Sequence, residues 1–397
     1  MELNSISLDL ICFQYGSFQM KNNKILIIAG EPSGDRHAAD LVHELKKQAP
    51  ELNFFGIGGD AMAGRGVLLF FHIRQMAFLG FAEIIRHLPF IQSVFKRLRE
   101  WCETEKPAAV ILVDYPGFNL RLARMVKKNN IPVIYYICPQ LWAWGKNRIE
   151  KIRRLVDLPL VIFKFEEEFY ARHGITAKFV GHPLADEIRI ETSENSFRTR
   201  HHLDPVKPII ALLPGSRMHE VQQLLPVMAR AAKNFESSRK YEWVVGKSVT
   251  LPLDLLQYYL QEYPFIKIVD HDTHHLLKYT RVALVASGTA TLETGYLGTP
   301  MIVLYKVASL TYWIGRFLVT IKNIALANIV LQKTVVPELI QYKVTPERIS
   351  EELKKYLDDP EYYWQVAAEL QKIPAILGPA GAAERAAGEI LQFLDWE

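Results

Sequence analysis

The chain has 397 residues, 49% apolar and 23% charged, so it is a folded globular protein too long for one ordinary core, and about two domains of ~150 to 200 residues are expected. Its net charge of +4 is too small for a nucleic-acid binder, although a local cluster would still favour phosphates or lipid headgroups. Cys12, Cys102 and Cys138 lie far apart with no CxxC pair, which argues against a disulfide framework or a thiolate metal site and for a reducing cytoplasm.

Residues 1–23 carry an apolar "LDLICF" but neither a basic start nor a small-residue cleavage site. They are expected to be a poorly ordered extension, with residues 1–19 dispensable. From Lys24 the chain alternates strand-like runs with amphipathic helices: "KILIIAG", "DRHAADLVHELKKQ", "NFFGIGG", then "AAVILVD", "LRLARMVKKNN", "PVIYYIC", "LPLVIF" and "AKFVG". This βαβ rhythm predicts a mostly parallel sheet covered on both faces, over residues 24–185. A polar linker at 186–205 interrupts it, and the same alternation returns over 206–375 in "IIALLPG", "YEWVVG", "FIKIVD", "VALVAS" and "MIVLY". The last segment, 376–397, holds the helix "AAERAAGEILQFL", expected to pack back on the first domain or on a second chain as a homodimer. The fold class is therefore α/β, with two Rossmann-like, doubly wound domains facing each other across a cleft. Ligands should sit beyond the carboxyl ends of the strands.

The loops after strands then carry the chemistry. In "AGEPSGDRH", the carboxylates of Glu31 and Asp35 would oppose phosphate but suit the hydroxyls of a sugar-like acceptor, with Ser33 and Gly34 between them. Equally, Ser33 or Asp35 could simply cap the following helix. "LVDYPGFN" puts Asp114 at the end of an apolar strand, where partial burial would raise its pKa toward that of a general base. The alternative is that Asp114 caps a helix starting near Phe118. "ICPQLWAWGKNRIEKIRR", with Gln140 and Trp144, mixes aromatic and basic residues suited to sugar rings, phosphates or headgroups.

"LLPGSRMHE" brings Gly215, Ser216 and Arg217 to a strand–helix turn, where backbone N–H groups and a forked positive charge suit an anion. "ASGTATLETGYLGTP" repeats that context. There Gly288 allows close backbone approach, Ser287 and Thr289 flank a helix start able to hold phosphate, and Glu293, one turn on, can take both hydroxyls of a ribose. Two motifs mislead. "VGKS" around Lys247 lacks the opening glycine of a P-loop. "DHDTHH", from Asp270, has metal-like spacing but reads better as a strand end and a helix cap in a polar loop facing the nucleotide, so no metal is assigned.

"MAFLGFAEIIRHLPFIQSVFKRLREW" is apolar yet broken by Glu83, Arg86, His87 and Pro89, so it cannot span a bilayer. Phe78, Leu79, Phe81, Ile84, Phe90 and Phe95, followed by Lys96, Arg97 and Arg99, are candidates to lie in a membrane interface. "LTYWIGRFLVTIK", Leu310 to Lys322, has the same character.

Taken in order, "AGEPSGD", "DYPGFN", "CPQLWAWG", "GHPLAD", "LLPGSR..E", "SGTATLE" and "VVPELIQ" resemble the lipid-A-disaccharide synthases across nearly the whole chain from Lys24. The resemblance implies a GT-B fold and an inverting glycosyltransferase, of glycosyltransferase family 19, that needs no cofactor. It would join UDP-2,3-diacylglucosamine to the 6-hydroxyl of 2,3-diacylglucosamine 1-phosphate (lipid X) in a β-1,6 linkage, at the cytoplasmic surface of the inner membrane, and release UDP. It further implies that Asp114 is the general base, that Arg217 and nearby helix N-termini stabilise the leaving phosphate, and that Asn328 approaches the nucleotide. Gly117, where some relatives have a second aspartate, departs from the pattern. Two other functions compete: a GT-B-type UDP-sugar 2-epimerase, and a non-catalytic, membrane-docked nucleotide-sugar binding protein.

Overall fold

The computed structural model describes residues 22–76, 88–142, 148–306 and 323–396. The first sheet has seven parallel strands: β1 (Lys24–Ala29), β2 (Asn53–Gly58), β3 (Leu68–His72), β4 (Ala109–Val113), β5 (Val133–Tyr136), β6 (Leu158–Val161) and β7 (Lys178–Phe179), in the order β3-β2-β1-β4-β5-β6-β7. The second has six: β8 (Ile209–Leu213), β9 (Glu242–Lys247), β10 (Ile266–Asp270), β11 (Thr280–Ala286), β12 (Met301–Tyr305) and β13 (Glu338–Ile340), in the order β10-β9-β8-β11-β12-β13. Strands β4 and β8 are buried at every residue. That is why these runs read as continuous apolar segments rather than alternating ones: helices cover both faces.

The strand order reverses between β1 and β4 in one sheet and between β8 and β11 in the other. In an open α/β sheet the loops leaving two such strands diverge to opposite faces and open a crevice. The four loops that follow β1, β4, β8 and β11 are therefore the ones the topology places at ligand-binding positions. They are also the four that carry the Glu31, Asp114, Arg217 and Thr289 motifs.

The helices that frame these loops are α1 (Pro32–Gln48), α2 (Asp60–Gly64), α3 (Leu88–Glu105), α4 (Pro116–Val126), α5 (Lys164–Ala171), α6 (Leu184–Glu187), α7 (Glu194–Arg200), α8 (Met218–Lys233), α9 (Thr273–Lys278), α10 (Thr289–Tyr296), α11 (Leu326–Val330) and α12 (Ala382–Phe393). Helix α1 starts on Pro32, whose missing N–H costs nothing in a first turn, and buries Ala38, Ala39, Leu41, Val42 and Leu45 along one face. The chain's last helix, α12, returns to pack on α1. Its first N–H groups, of Gly381 and Ala382, donate to the Asp186 carboxylate at 2.5 and 3.1 Å, and Arg385 donates to the Val180 carbonyl at 2.8 Å.

Of the segment expected at a membrane interface, Met76 and residues from 88 onward are described, and Met76 is buried. Helix α3 buries Val94, Leu98 and Cys102. Phe95 stacks on Phe118 with ring centroids 4.6 Å apart, and Phe90 meets Phe71 edge-on at 5.8 Å. These two phenylalanines, each partly buried, thus pack against β3 and α4. Phe78, Leu79, Phe81 and Ile84, the 310–322 segment, Trp144 and residues 1–21 lie outside the described residues. Among the described residues no helix is long and apolar enough to cross a membrane.

Candidate active site

Asp114 leaves β4 with φ 45°, and Tyr115 follows with φ 49°. Two consecutive non-glycine residues in the left-handed region cost on the order of 1–2 kcal/mol each and persist only where the surroundings hold them. The surroundings do so: the Asp114 carbonyl accepts from the Asn119 side-chain amide at 2.6 Å and from the Tyr135 hydroxyl at 2.7 Å, while its own N–H reaches the Tyr136 carbonyl at 3.2 Å. Helix α4 begins at Pro116 with Tyr115 in the cap position. Asp114 therefore does not cap it; its carboxyl meets the backbone N–H of Tyr115 instead. The group is half-buried, and burial first, then the nearby Glu31 charge, raises its pKa above the ordinary carboxylate value. Gly30 is needed beside it, because a Cβ there would stand 2.2 Å from the Tyr115 ring.

In the loop after β1, Glu31 is exposed and Ser33 half-buried, so both remain open to a ligand. Asp35 is not: it is 5% exposed, and its carboxylate accepts from the backbone N–H groups of Gly59 at 2.6 Å, Ala61 at 3.0 Å and Met62 at 3.2 Å. It caps α2, two elements downstream, rather than its own helix or an acceptor hydroxyl. This corrects the expectation, because a carboxylate satisfied by three amides has little capacity left for a ligand. Gly34 is buried against β1 and β4, its Cβ position 3.6 Å from Ala29 and 3.9 Å from the Val113 carbonyl.

On the opposite sheet the two predicted anion loops differ. At the start of α8 the Glu220 carboxylate accepts from the N–H groups of Ser216 at 3.0 Å and Arg217 at 3.2 Å, and Arg217 Nη1 lies 3.4 Å from its other oxygen. Gly215, at φ 114°, has no room for a Cβ because Glu220 lies 2.3 Å from that position. A side chain of the protein thus fills the seat that the sequence reading gave to phosphate. The Arg217 guanidinium is exposed. At the start of α10 no side chain caps the helix, no acidic residue lies in its first turn, and Gly288 and Thr289 are exposed with open space around Gly288. An N-terminus without a side-chain cap is chemically suited to an anion. Ser287 is anchored through its hydroxyl to the Ile324 carbonyl at 3.3 Å.

Glu293, one turn into α10, lies with His274 Nε2 3.6 Å from its carboxylate. Glu187, on α6 of the first unit, lies near enough to Glu293 and His274 for their charges to act on its carboxyl. Burial is the largest cause of the raised Glu187 pKa. His37 Nδ1 lies 3.5 Å from Glu187, too poorly aligned for a hydrogen bond, and is buried without a partner; burial lowers the His37 pKa to about 4. Asn328 does not reach the cleft. It is fully buried, donates to the Val336 carbonyl and to Glu338 at 2.9 Å each, and accepts from the N–H groups of Val335 and Val336 at 2.8 and 3.0 Å. Its contribution is to hold α11 in place, a correction to a direct nucleotide contact.

The two misleading motifs resolve structurally. Lys247 is buried, donating to the Leu251 carbonyl at 3.1 Å and lying 3.0 Å from Asp270, so it serves the sheet end rather than a phosphate. Asp272 accepts from His201 at 2.8 Å and His275 at 2.5 Å, and His275 Nε2 accepts from the N–H groups of Glu191 and Thr192 at 3.2 Å each. This cluster fastens the linker to the second unit. Among the described residues no group of three or more His, Cys, Asp or Glu side chains is placed to hold a metal. Gln140 is half-buried, and the neighbouring Trp142 donates to the fully buried Glu166 at 2.9 Å.

Sequence reasoning missed Asn119 and Tyr135, which hold Asp114, and Glu220. The last was legible: a glutamate three residues after a helix cap is a capping-box spacing.

Two doubly wound parallel sheets, each with polar or charged loops at its switch point, make a GT-B fold. Solved structures of that fold are similar at low identity. The calicheamicin glycosyltransferase CalG4 aligns with a TM-score of 0.61 at 15% identity, over 95% of this chain and 99% of that one. The UDP-GlcNAc 2-epimerase from Neisseria meningitidis aligns with a TM-score of 0.58 at 12% identity, over 94% and 100%. The profile of the family described as lipid-A-disaccharide synthetase matches residues 25–377. The lipid-A-disaccharide synthase of Syntrophus aciditrophicus (strain SB) is 43% identical over 371 residues, 93% of this chain and 97% of the relative. The chain belongs to the lipid-A-disaccharide synthase family, and it is a glycosyltransferase of lipid A biosynthesis.

Proposed function

We propose that the enzyme transfers 2,3-diacylglucosamine from its UDP derivative to the 6-hydroxyl of 2,3-diacylglucosamine 1-phosphate, giving the β-1,6-linked disaccharide 1-phosphate and UDP with inversion. The observation that carries this reading is the half-buried Asp114 carboxyl, with its raised pKa, held at one switch point by a strained backbone. On the second sheet, the N-terminus of α10 carries no side-chain cap.

In this reaction the acceptor oxygen attacks the anomeric carbon from the face opposite UDP. The new C–O bond forms as the bond from that carbon to the β-phosphate oxygen breaks. Asp114 takes the hydroxyl proton, and the electron pair leaves on UDP. The raised pKa suits that task, since a base works best with a pKa nearer the working pH. Charge growing on the β-phosphate is met by the Arg217 guanidinium and the α10 N–H groups, placed before the reaction begins. Glu293 holds the ribose, and Glu31 and Ser33 lie on the acceptor side. Because both substrates carry acyl chains, the enzyme works at the cytoplasmic surface of the inner membrane, with the 77–87 and 310–322 segments as its contact.

The test is mass spectrometry of products after mixing the purified protein with both substrates in EDTA. A tetraacyl disaccharide 1-phosphate together with UDP is expected. Turnover of UDP-N-acetylglucosamine to its 2-epimer without disaccharide would replace this reading with an epimerase.

A further inference from the structure

We propose that Glu220 is a positioning residue for the donor. Its carboxylate occupies the anion seat at the start of α8 and aims the Arg217 guanidinium, so that the leaving phosphate falls to Arg217 and to the N-terminus of α10. This rests on the phosphate role given to Arg217 above.

The geometry separates two helix starts that the sequence makes look alike. At α8 the N–H groups of Ser216 and Arg217 both point at Glu220 Oε2, at 3.0 and 3.2 Å, and the Ser216 carbonyl accepts from Thr250 Oγ1 at 2.8 Å. The turn is therefore closed from both sides and offers no open pair of amides. At α10 the equivalent amides have no side-chain cap. Glu220 is itself well shielded, its side chain 21% exposed against 71% for Arg217. The fixed partner is the carboxylate and the movable one the guanidinium, 3.4 Å from Glu220 Oε1. A guanidinium keeps donors free after one such contact, because it carries five N–H groups in a planar fork. Glu220 can thus restrain Arg217 while leaving part of the fork for phosphate.

Without Glu220 two things change. Arg217 loses its restraint, and the α8 amides become a competing anion seat that draws the phosphate away from α10. Replacement by glutamine separates these effects: the amide oxygen can still accept from both backbone N–H groups, but the charge that pairs with Arg217 is gone.

The experiment compares wild type, Glu220→Gln, Glu220→Ala, Arg217→Ala and the Arg217→Ala/Glu220→Gln double variant. It records melting temperature, UDP affinity by titration calorimetry, and kcat/KM for the UDP-linked donor. Glu220→Gln is expected to melt like wild type while kcat/KM falls by about tenfold, the scale of coupling between contacting residues. The double variant should be no worse than Arg217→Ala alone. Wild-type kcat/KM in Glu220→Gln, or losses that multiply independently in the double variant, would each overturn the proposal. If Arg217→Ala itself binds UDP and turns over like wild type, the phosphate role of Arg217 falls, and this inference with it.

Discussion

The Tyr135 hydroxyl, on the strand beside β4, donates a 2.7 Å hydrogen bond to the main-chain carbonyl of Asp114. With the 2.6 Å bond from Asn119, it holds a backbone turn that aspartate would not otherwise adopt. The site is built by restraining the peptide through its carbonyl, so neither Asn119 nor Tyr135 ties up the carboxyl. Tyr135→Phe and Asn119→Ala should accordingly lower kcat with little change in donor KM, each by about fivefold to thirtyfold, which corresponds to a lost hydrogen bond of ~1–2 kcal/mol. Steady-state kinetics decide it; losses confined to KM would mean that these residues serve binding instead.

Glu31 is the second cause, after burial, of the raised Asp114 pKa. Removing its charge in Glu31→Gln should therefore lower that pKa and move the acid limb of the pH–kcat/KM profile to lower pH. An unmoved limb would show that Asp114 is not the group titrating there.

Asp35 carries three backbone amides of the α2 turn. Asp35→Ala leaves buried donors unpaired and is expected to cost about 2–4 kcal/mol, read as a lower urea midpoint. Unchanged stability with impaired acceptor KM would return Asp35 to the acceptor site.

His37, buried beside Glu187 and Arg36, has its pKa lowered from 6.5 to about 4. The unfolded chain binds this proton first, so stability is fully present above pH 6.5 and is lost as pH falls toward 4, by an amount on the order of 3 kcal/mol. His37→Gln should flatten that decline in urea titrations at pH 6.5 and 4.5; an equal decline in the variant would exclude His37 as its source.

The fold was legible because its strands are buried on both faces, which turns β1, β4, β8 and β11 into uninterrupted apolar runs that a reader can count. The motif loops were legible because each follows such a run. What sequence could not supply was partnership across distance. Asp35 looked available because its amide partners, Gly59 to Met62, lie 24 to 27 residues away. Asn328 looked like a nucleotide contact because nothing local shows that Glu338 and the 335–336 turn enclose it. The α8 and α10 starts looked equivalent because both pair a glycine with a hydroxyl residue; only the reach of Glu220 tells them apart. Phe90 and Phe95 read as interfacial because a stripe of aromatics on a basic helix fits either a membrane or a protein core, and here Phe71 of β3 and Phe118 of α4 take them.

The most direct test of the account is the turnover of Asp114→Asn in the two-substrate assay, with disaccharide quantified by mass spectrometry and the fold checked by circular dichroism. Asparagine preserves the shape and cannot take the proton, so the account predicts a folded protein whose transfer falls by about 100-fold or more, the usual scale of a lost general base. Wild-type-like disaccharide formation by the folded variant would contradict it and take Asp114 out of the mechanism.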